Sequence, residues 1–167
     1  QKLIADNENF HKILVDGIDI PIQSEDGERY EKVWLFNFEK PYRNEFLAVN
    51  QFTVIENNIE RRPDVVLFVN GIPLMVIELK NPADENATIK TAYNQFQTYK
   101  DQLPYFFRYN EILVLSDGIE ARAGTINAEF GRFMQWKTID GEKPEEKSTE
   151  IEVLLRGICD KDRFLDI

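Results

Sequence analysis

Three charged residues in the stretch RRPDVVLFVNGIPLMVIELKNP, residues 61–82, carry the first chemical suggestion: Asp64 stands at one end of an apolar hairpin, and Glu78 and Lys80 stand at the other. Asn70-Gly71 lies between two apolar runs, the local chemistry of a tight turn between antiparallel strands, so Asp64 and Glu78 should come close together. Side chains alternate faces along a strand, and a strict two-residue loop would pair 64 with 77 and send Glu78 to the opposite face. A three-residue loop through Ile72, or one β-bulge, would pair 64 with 78 and aim both carboxylates and Lys80 at one side. That odd register is the expectation. Two neighbouring carboxylates raise each other's pKa unless a cation sits between them, and the oxygen pair favours a hard divalent ion, Mg²⁺ with Mn²⁺ as substitute. Lys80 could orient or help deprotonate a water, or stabilise charge building on a phosphoryl group, which is chemistry suited to phosphodiester hydrolysis.

A blander reading competes. Asp64 could be a polar strand start, with Glu78 and Lys80 an exposed pair on a solvated sheet face. Against it, the six residues before Glu78 are all apolar or proline, the pattern of a buried strand rather than a half-exposed one, and a buried Glu and Lys need a reason.

The elements that must position these residues follow from periodicity. Residues 1–14 read as a short helix capped by Asp6 or Asn7. KVWLFNF (32–38) and FLAVNQFTVIE (46–56) read as strands. The segment DENATIKTAYNQFQTYKDQLP carries Ile89, Tyr93, Phe96 and Leu103 at helical spacing until Pro104 stops it. EILVLSDGIEARAG (111–124) reads as a hairpin around Asp117-Gly118. Residues 140–150 form an acidic loop before an amphipathic stretch, 151–167, with no stop signal after Leu165, so the expectation is a fragment of a longer chain whose end begins the connection to a following domain.

Composition bounds the class. With 167 residues, 43% hydrophobic and 12% aromatic, one domain with its own core is expected. One cysteine, Cys159, excludes an internal disulfide, and with a single histidine it excludes a zinc-type cluster; a cytoplasmic setting is expected. No apolar run is long enough for a membrane helix. His11 has no ligand-spaced partner and is given no chemistry. The net charge of -10 opposes a protein that coats nucleic acid by bulk electrostatics. A local basic surface would suffice, and Arg61, Arg62, Lys80, Lys90, Lys100 and Arg108 cluster in sequence around the proposed site, while the acid lies elsewhere, notably at 140–152; with a screening length of about 8 Å, distant carboxylates would little affect a phosphate at the site. Arg61 and Arg62 are candidates for touching phosphate, with pairing to Glu56 or Glu60 as their plainer role.

These residues match a known pattern. Pro63-Asp64, then Glu78-Leu79-Lys80 after thirteen intervening residues, resembles the PD-(D/E)xK nuclease superfamily. NQFTVIE, RRPDVVLFVNGIPLMVIELKNPADENATI and NQFQTYKDQLP together are similar to the endonuclease domain of type I restriction enzyme R subunits. The resemblance implies an α/β fold with a restriction-endonuclease-like core, a central mixed β-sheet flanked by helices. It implies that Asp64, Glu78 and the backbone carbonyl of Leu79 bind the metal and that Lys80 serves catalysis. Such domains carry a Q-x-x-x-Y motif on the following helix, here Gln95 and Tyr99, whose i,i+4 spacing shares one helix face and suits positioning of DNA. Many superfamily members also carry a carboxylate on an upstream helix, for which Asp6 or Glu8 would serve.

The function implied is Mg²⁺-dependent, nonspecific cleavage of double-stranded DNA after ATP-driven translocation by motor domains, in a complex with methyltransferase modification and specificity subunits. No G-x-x-x-x-G-K-[ST] loop occurs in the sequence, so ATP would belong to the full-length protein only. The rivals are a catalytically silent docking module of the same fold and a free-standing structure-specific nuclease.

Overall fold

A computed structural model of the chain describes residues 2–24, 27–81, 83 and 88–166. Helix α1 (Lys2–Asp16) leads into a hairpin, β1 (Ile18–Ser24) and β2 (Gly27–Val33). After β3 (Phe46–Asn50) comes a second small hairpin, β4 (Val54–Glu56) and β5 (Ile59–Arg61), and then β6 (Val65–Val69) and β7 (Ile72–Leu79). Helices α2 (Ile89–Gln102) and α3 (Pro104–Phe107) precede β8 (Ile112–Ser116) and β9 (Ala121–Gly124), and α4 (Glu150–Ile158) and α5 (Lys161–Phe164) follow.

The central sheet has five strands in the order β3-β6-β7-β8-β9. Only the β7–β8 pairing is parallel, because α2 and α3 carry the chain back across the sheet between those strands. The sheet is therefore mixed and covered on both faces. Val76, Leu113 and Leu115 pack with Phe96, Tyr99 and Phe107 on the α2 side. Met75, Ile77 and Val114 alternate to the other side, against Leu154 and Ile158 of α4 and Phe10 and Leu14 of α1. Every residue of β8 is buried, as its unbroken apolar run predicts for a central strand.

α4 comes close enough to its neighbours that Gly157 tolerates no side chain: a Cβ there would collide with the Trp136 indole Nε1 and lie 2.6 Å from the Thr138 carbonyl oxygen. Gly157→Ala is therefore expected to destabilise the fold by about 2 kcal/mol or more despite the better helix propensity of alanine, measurable by urea unfolding.

Several sequence expectations are corrected. Asp6 and Asn7 lie inside α1, not at its start; Asn7 is buried and donates to the carbonyls of Arg108 and Asn110. Of the run 32–38, only Lys32 and Val33 are strand, ending an exposed two-stranded ribbon. The run 46–56 breaks at Gln51, whose φ of 52° turns the chain out of β3. The helix over Ile89–Gln102 is as expected, with Thr88 as cap; residues 84–87 of the segment assigned to it lie outside the described residues. The hairpin 111–124 is present, and the terminal helical stretch is split at Cys159-Asp160 into α4 and α5.

Candidate active site

The register that joins the carboxylates is built by two features. Asn70 and Gly71 both have positive φ, 49° and 79°, as a type I′ two-residue turn requires, and Val69 pairs with Ile72 across it. The pairing then shifts: Phe68 lies opposite Pro73 but Leu67 opposite Met75, so Leu74 is an extra residue, a β-bulge. Beyond the bulge Val65 pairs with Ile77, and the next position on each strand sets Asp64 opposite Glu78. Of the two routes to the odd register, the molecule uses the bulge. Asn70 anchors the turn as well, since its side chain donates to the Leu35 carbonyl and accepts from the Glu45 N–H.

Glu78 shares the face of Val76, the face covered by α2. It is only 2% exposed, and one carboxylate oxygen, Oε2, is buried with no hydrogen-bond partner. Burial pushes its pKa up from 4.5 to about 7; the hydrogen bond from Lys80 opposes the rise and the nearby Asp64 charge adds to it. Lys80 donates to Glu78 Oε1 at 2.8 Å and to Gln95 Oε1, and the Gln95 amide donates in turn to the Tyr99 hydroxyl. An ammonium has three N–H donors, so this network leaves one Lys80 donor for a substrate oxygen, and the Tyr99 O–H likewise remains free to donate. Burial raises the Tyr99 pKa above the usual phenol value, so the hydroxyl keeps its proton at neutral pH.

Asp64 meets the site from the start of β6. Its Oδ2 accepts from the Leu79 N–H at 2.8 Å and its Oδ1 from the Gln51 side-chain amide at 2.8 Å. The Leu79 side chain alternates away from Glu78 and is exposed. The residues fit a divalent cation: the orphaned Glu78 Oε2 and the spare lone pairs of Asp64 are oxygen donors in need of a positive partner. Among the described residues no third His, Cys, Asp or Glu joins them, a sparse donor set that suits Mg²⁺, which keeps much of its water shell.

The wider electrostatic expectations need correction. Arg61 and Arg62 form no ion pair with Glu56 or Glu60 among the described residues; Arg61 donates to Gln102 Oε1 and the Glu60 carbonyl, and Arg62 to the Gln51 carbonyl at 3.5 Å. Lys90 lies over the rings of Tyr93 and Phe130, Lys100 donates to the Ile126 carbonyl, and Arg108 pairs with Asp6. Of the six basic residues clustered in sequence, Arg108 is neutralised by a carboxylate, and Lys90 and Lys100 are held by rings and a carbonyl. Asp6 sits near Asn110 before β8 begins, whereas Glu78 lies beside Leu115 near the end of that strand, so the α1 carboxylate at Asp6 stands at the far end of the sheet from the acidic pair. Two residues escaped the sequence reading. Gln102 lies seven positions after Gln95, on the same helical face, a spacing that could have found it. Gln51 gave no such signal inside an apparent strand.

A mixed five-stranded sheet between helices, with an acidic pair and a lysine gathered on one face, defines the class: an α/β domain with a restriction-endonuclease-like core. Residues 1–132 match the family model described as type I restriction enzyme R protein N terminus, and the chain belongs to that family. It is 40% identical to the type I restriction enzyme HindI endonuclease subunit of Haemophilus influenzae, over 98% of this chain and 16% of that protein. It is 31% identical to a putative type I restriction enzyme MjaIXP endonuclease subunit of Methanocaldococcus jannaschii, over 94% of this chain and 17% of that one. The chain thus spans about a sixth of the length of these relatives.

Proposed function

We propose that this R-subunit N-terminal domain is a Mg²⁺-dependent endonuclease that hydrolyses phosphodiester bonds of double-stranded DNA. The observation that carries the reading is the buried, half-unpartnered Glu78 carboxylate set opposite Asp64, on the face shared with Lys80, Gln95 and Tyr99. Asp64, Glu78 and the Leu79 carbonyl hold the metal, which supplies positive charge against the phosphoryl oxygens and acidifies water at the site. Lys80 directs its spare N–H at the attacking water or a non-bridging phosphate oxygen, Gln95 fixes the lysine in that direction, and the Tyr99 hydroxyl donates to the DNA backbone. With a net charge of -10, the domain would hold DNA weakly by itself and DNA would be delivered by the rest of the assembly, an arrangement that kinship with type I endonuclease subunits supports. On this reading cutting is nonspecific and follows ATP-driven translocation by motor domains outside these residues, in a cytoplasmic complex with methyltransferase modification and specificity subunits.

The test is a calorimetric titration of Mn²⁺ into the wild type, Asp64→Ala and Glu78→Ala, each checked for folding by circular dichroism. Binding by the wild type that disappears in both variants is expected. Should the wild type bind no better than the variants even with DNA present, the domain is a docking module that kept the fold and lost the chemistry.

A further inference from the structure

Asp64 precedes β6, and what orients its carboxylate comes from outside its own strand. The β3–β6 register ends at Asn50 opposite Val65, which brings Gln51 alongside Asp64. Gln51 has φ 52°, a left-handed conformation uncommon for a side chain other than Gly, Asn or Asp, and it is exposed, so no burial of its own side chain accounts for that backbone. What the conformation achieves is a double grip on one residue. The Gln51 backbone N–H donates to the Asp64 carbonyl at 2.8 Å, and the Gln51 side-chain Nε2 donates to Asp64 Oδ1 at 2.8 Å. With the Leu79 N–H on Oδ2, each carboxylate oxygen receives one donor and the plane of the group is held on the side of Glu78.

We propose that Gln51 is a positioning residue for the metal-binding carboxylate, a part of the site outside the Asp64, Glu78, Lys80, Gln95 and Tyr99 set; the inference rests on the metal-dependent reading above. One N–H per oxygen leaves the remaining lone pairs of Asp64 for a cation, so the amide orients the carboxylate without consuming it. A residue that merely turned the chain would need only the backbone half of the grip, and glycine would supply it with less strain.

That difference sets the test. Mn²⁺ titration and thermal unfolding are compared for the wild type, Gln51→Gly, Gln51→Asn and Asp64→Ala. Glycine and asparagine both adopt positive φ readily, so neither should lower the unfolding temperature, but glycine lacks the amide and asparagine carries it one methylene too short. Both are expected to weaken Mn²⁺ affinity by roughly tenfold to a hundredfold, the range for residues that orient a metal ligand. If Asp64→Ala abolishes binding while both Gln51 variants bind as the wild type does, Gln51 only shapes the turn and the proposal is overturned. If the wild type binds Mn²⁺ no better than Asp64→Ala, the metal-dependent reading itself fails, and the role of Gln51 goes with it.

Discussion

Replacing Glu78 by glutamine is expected to make the metal-free domain more stable at alkaline pH and, in the assembled enzyme, to abolish DNA cleavage. The carboxyl group has a pKa of 4.5 when free and about 7 in the fold, with burial as the main cause. A pKa raised on folding contributes stability that is complete below about pH 4.5 and is lost as pH rises through about 7, because the unfolded chain ionises first. At about 1.4 kcal/mol per pH unit, that span makes the ionised, metal-free carboxylate cost the fold about 3 kcal/mol above neutrality. Glutamine keeps the shape, accepts from Lys80 in the same way and can donate towards Asp64, but carries no charge to desolvate. Its melting temperature without metal should exceed that of the wild type by on the order of 10 °C at about pH 8, with the gain shrinking towards pH 4.5. Cleavage should drop on the order of a thousandfold or more, because the amide cannot serve as an anionic ligand. Melting curves at several pH values decide it. A gain independent of pH, or a loss, would mean that Lys80 already neutralises the buried carboxylate and that no stability is given up there for a cation.

The meeting of Asp64 and Glu78 in the candidate site was legible for a physical reason: strand alternation turns a register question into a parity question. Asp64 and Glu78 share a face only if one residue is out of step, and Leu74 is that residue. Buried strands and the amphipathic α2 were likewise legible, because a continuous apolar run or a period near 3.6 has few other ways to be satisfied. Failures came where local pattern and tertiary setting part company. Val33 to Phe38 has strand composition, yet much of it lies in irregular chain beside Asn44 and Asn70, whose side chains satisfy backbone groups that a ladder would otherwise take. Gln51 sits in what looks like the middle of a strand, and nothing local announces a non-glycine residue at positive φ. The partners of the lysines and arginines near Lys80 in sequence were not legible, because tertiary packing sets them: Lys90 lies over two rings, Lys100 donates to a carbonyl and Arg108 pairs with Asp6.

Lys80 touches both the candidate metal ligand and the helix motif, so its removal separates two ways in which it could matter. If it serves only to neutralise Glu78, Lys80→Met should raise the Glu78 pKa further, since the lysine hydrogen bond is the largest influence holding it down. Metal binding and cleavage would then fall together, and saturating Mn²⁺ at alkaline pH would restore both. If its spare N–H acts on the water or phosphate, the metal-saturated variant stays inactive. The second outcome is expected, with cleavage at saturating Mn²⁺ reduced on the order of a thousandfold, because Gln95 holds the ammonium by a contact that charge neutralisation of Glu78 does not need. Lys80→Arg should recover little: the guanidinium keeps the charge but spreads it over a planar fork that cannot meet Glu78, Gln95 and a substrate oxygen in the directions an ammonium does. Single-turnover cleavage by the assembled enzyme, with Mn²⁺ raised until the rate no longer changes, separates the two accounts. Recovery of near wild-type rates in Lys80→Met would reduce Lys80 to a counter-ion and leave Gln95 and Tyr99 as a scaffold for it.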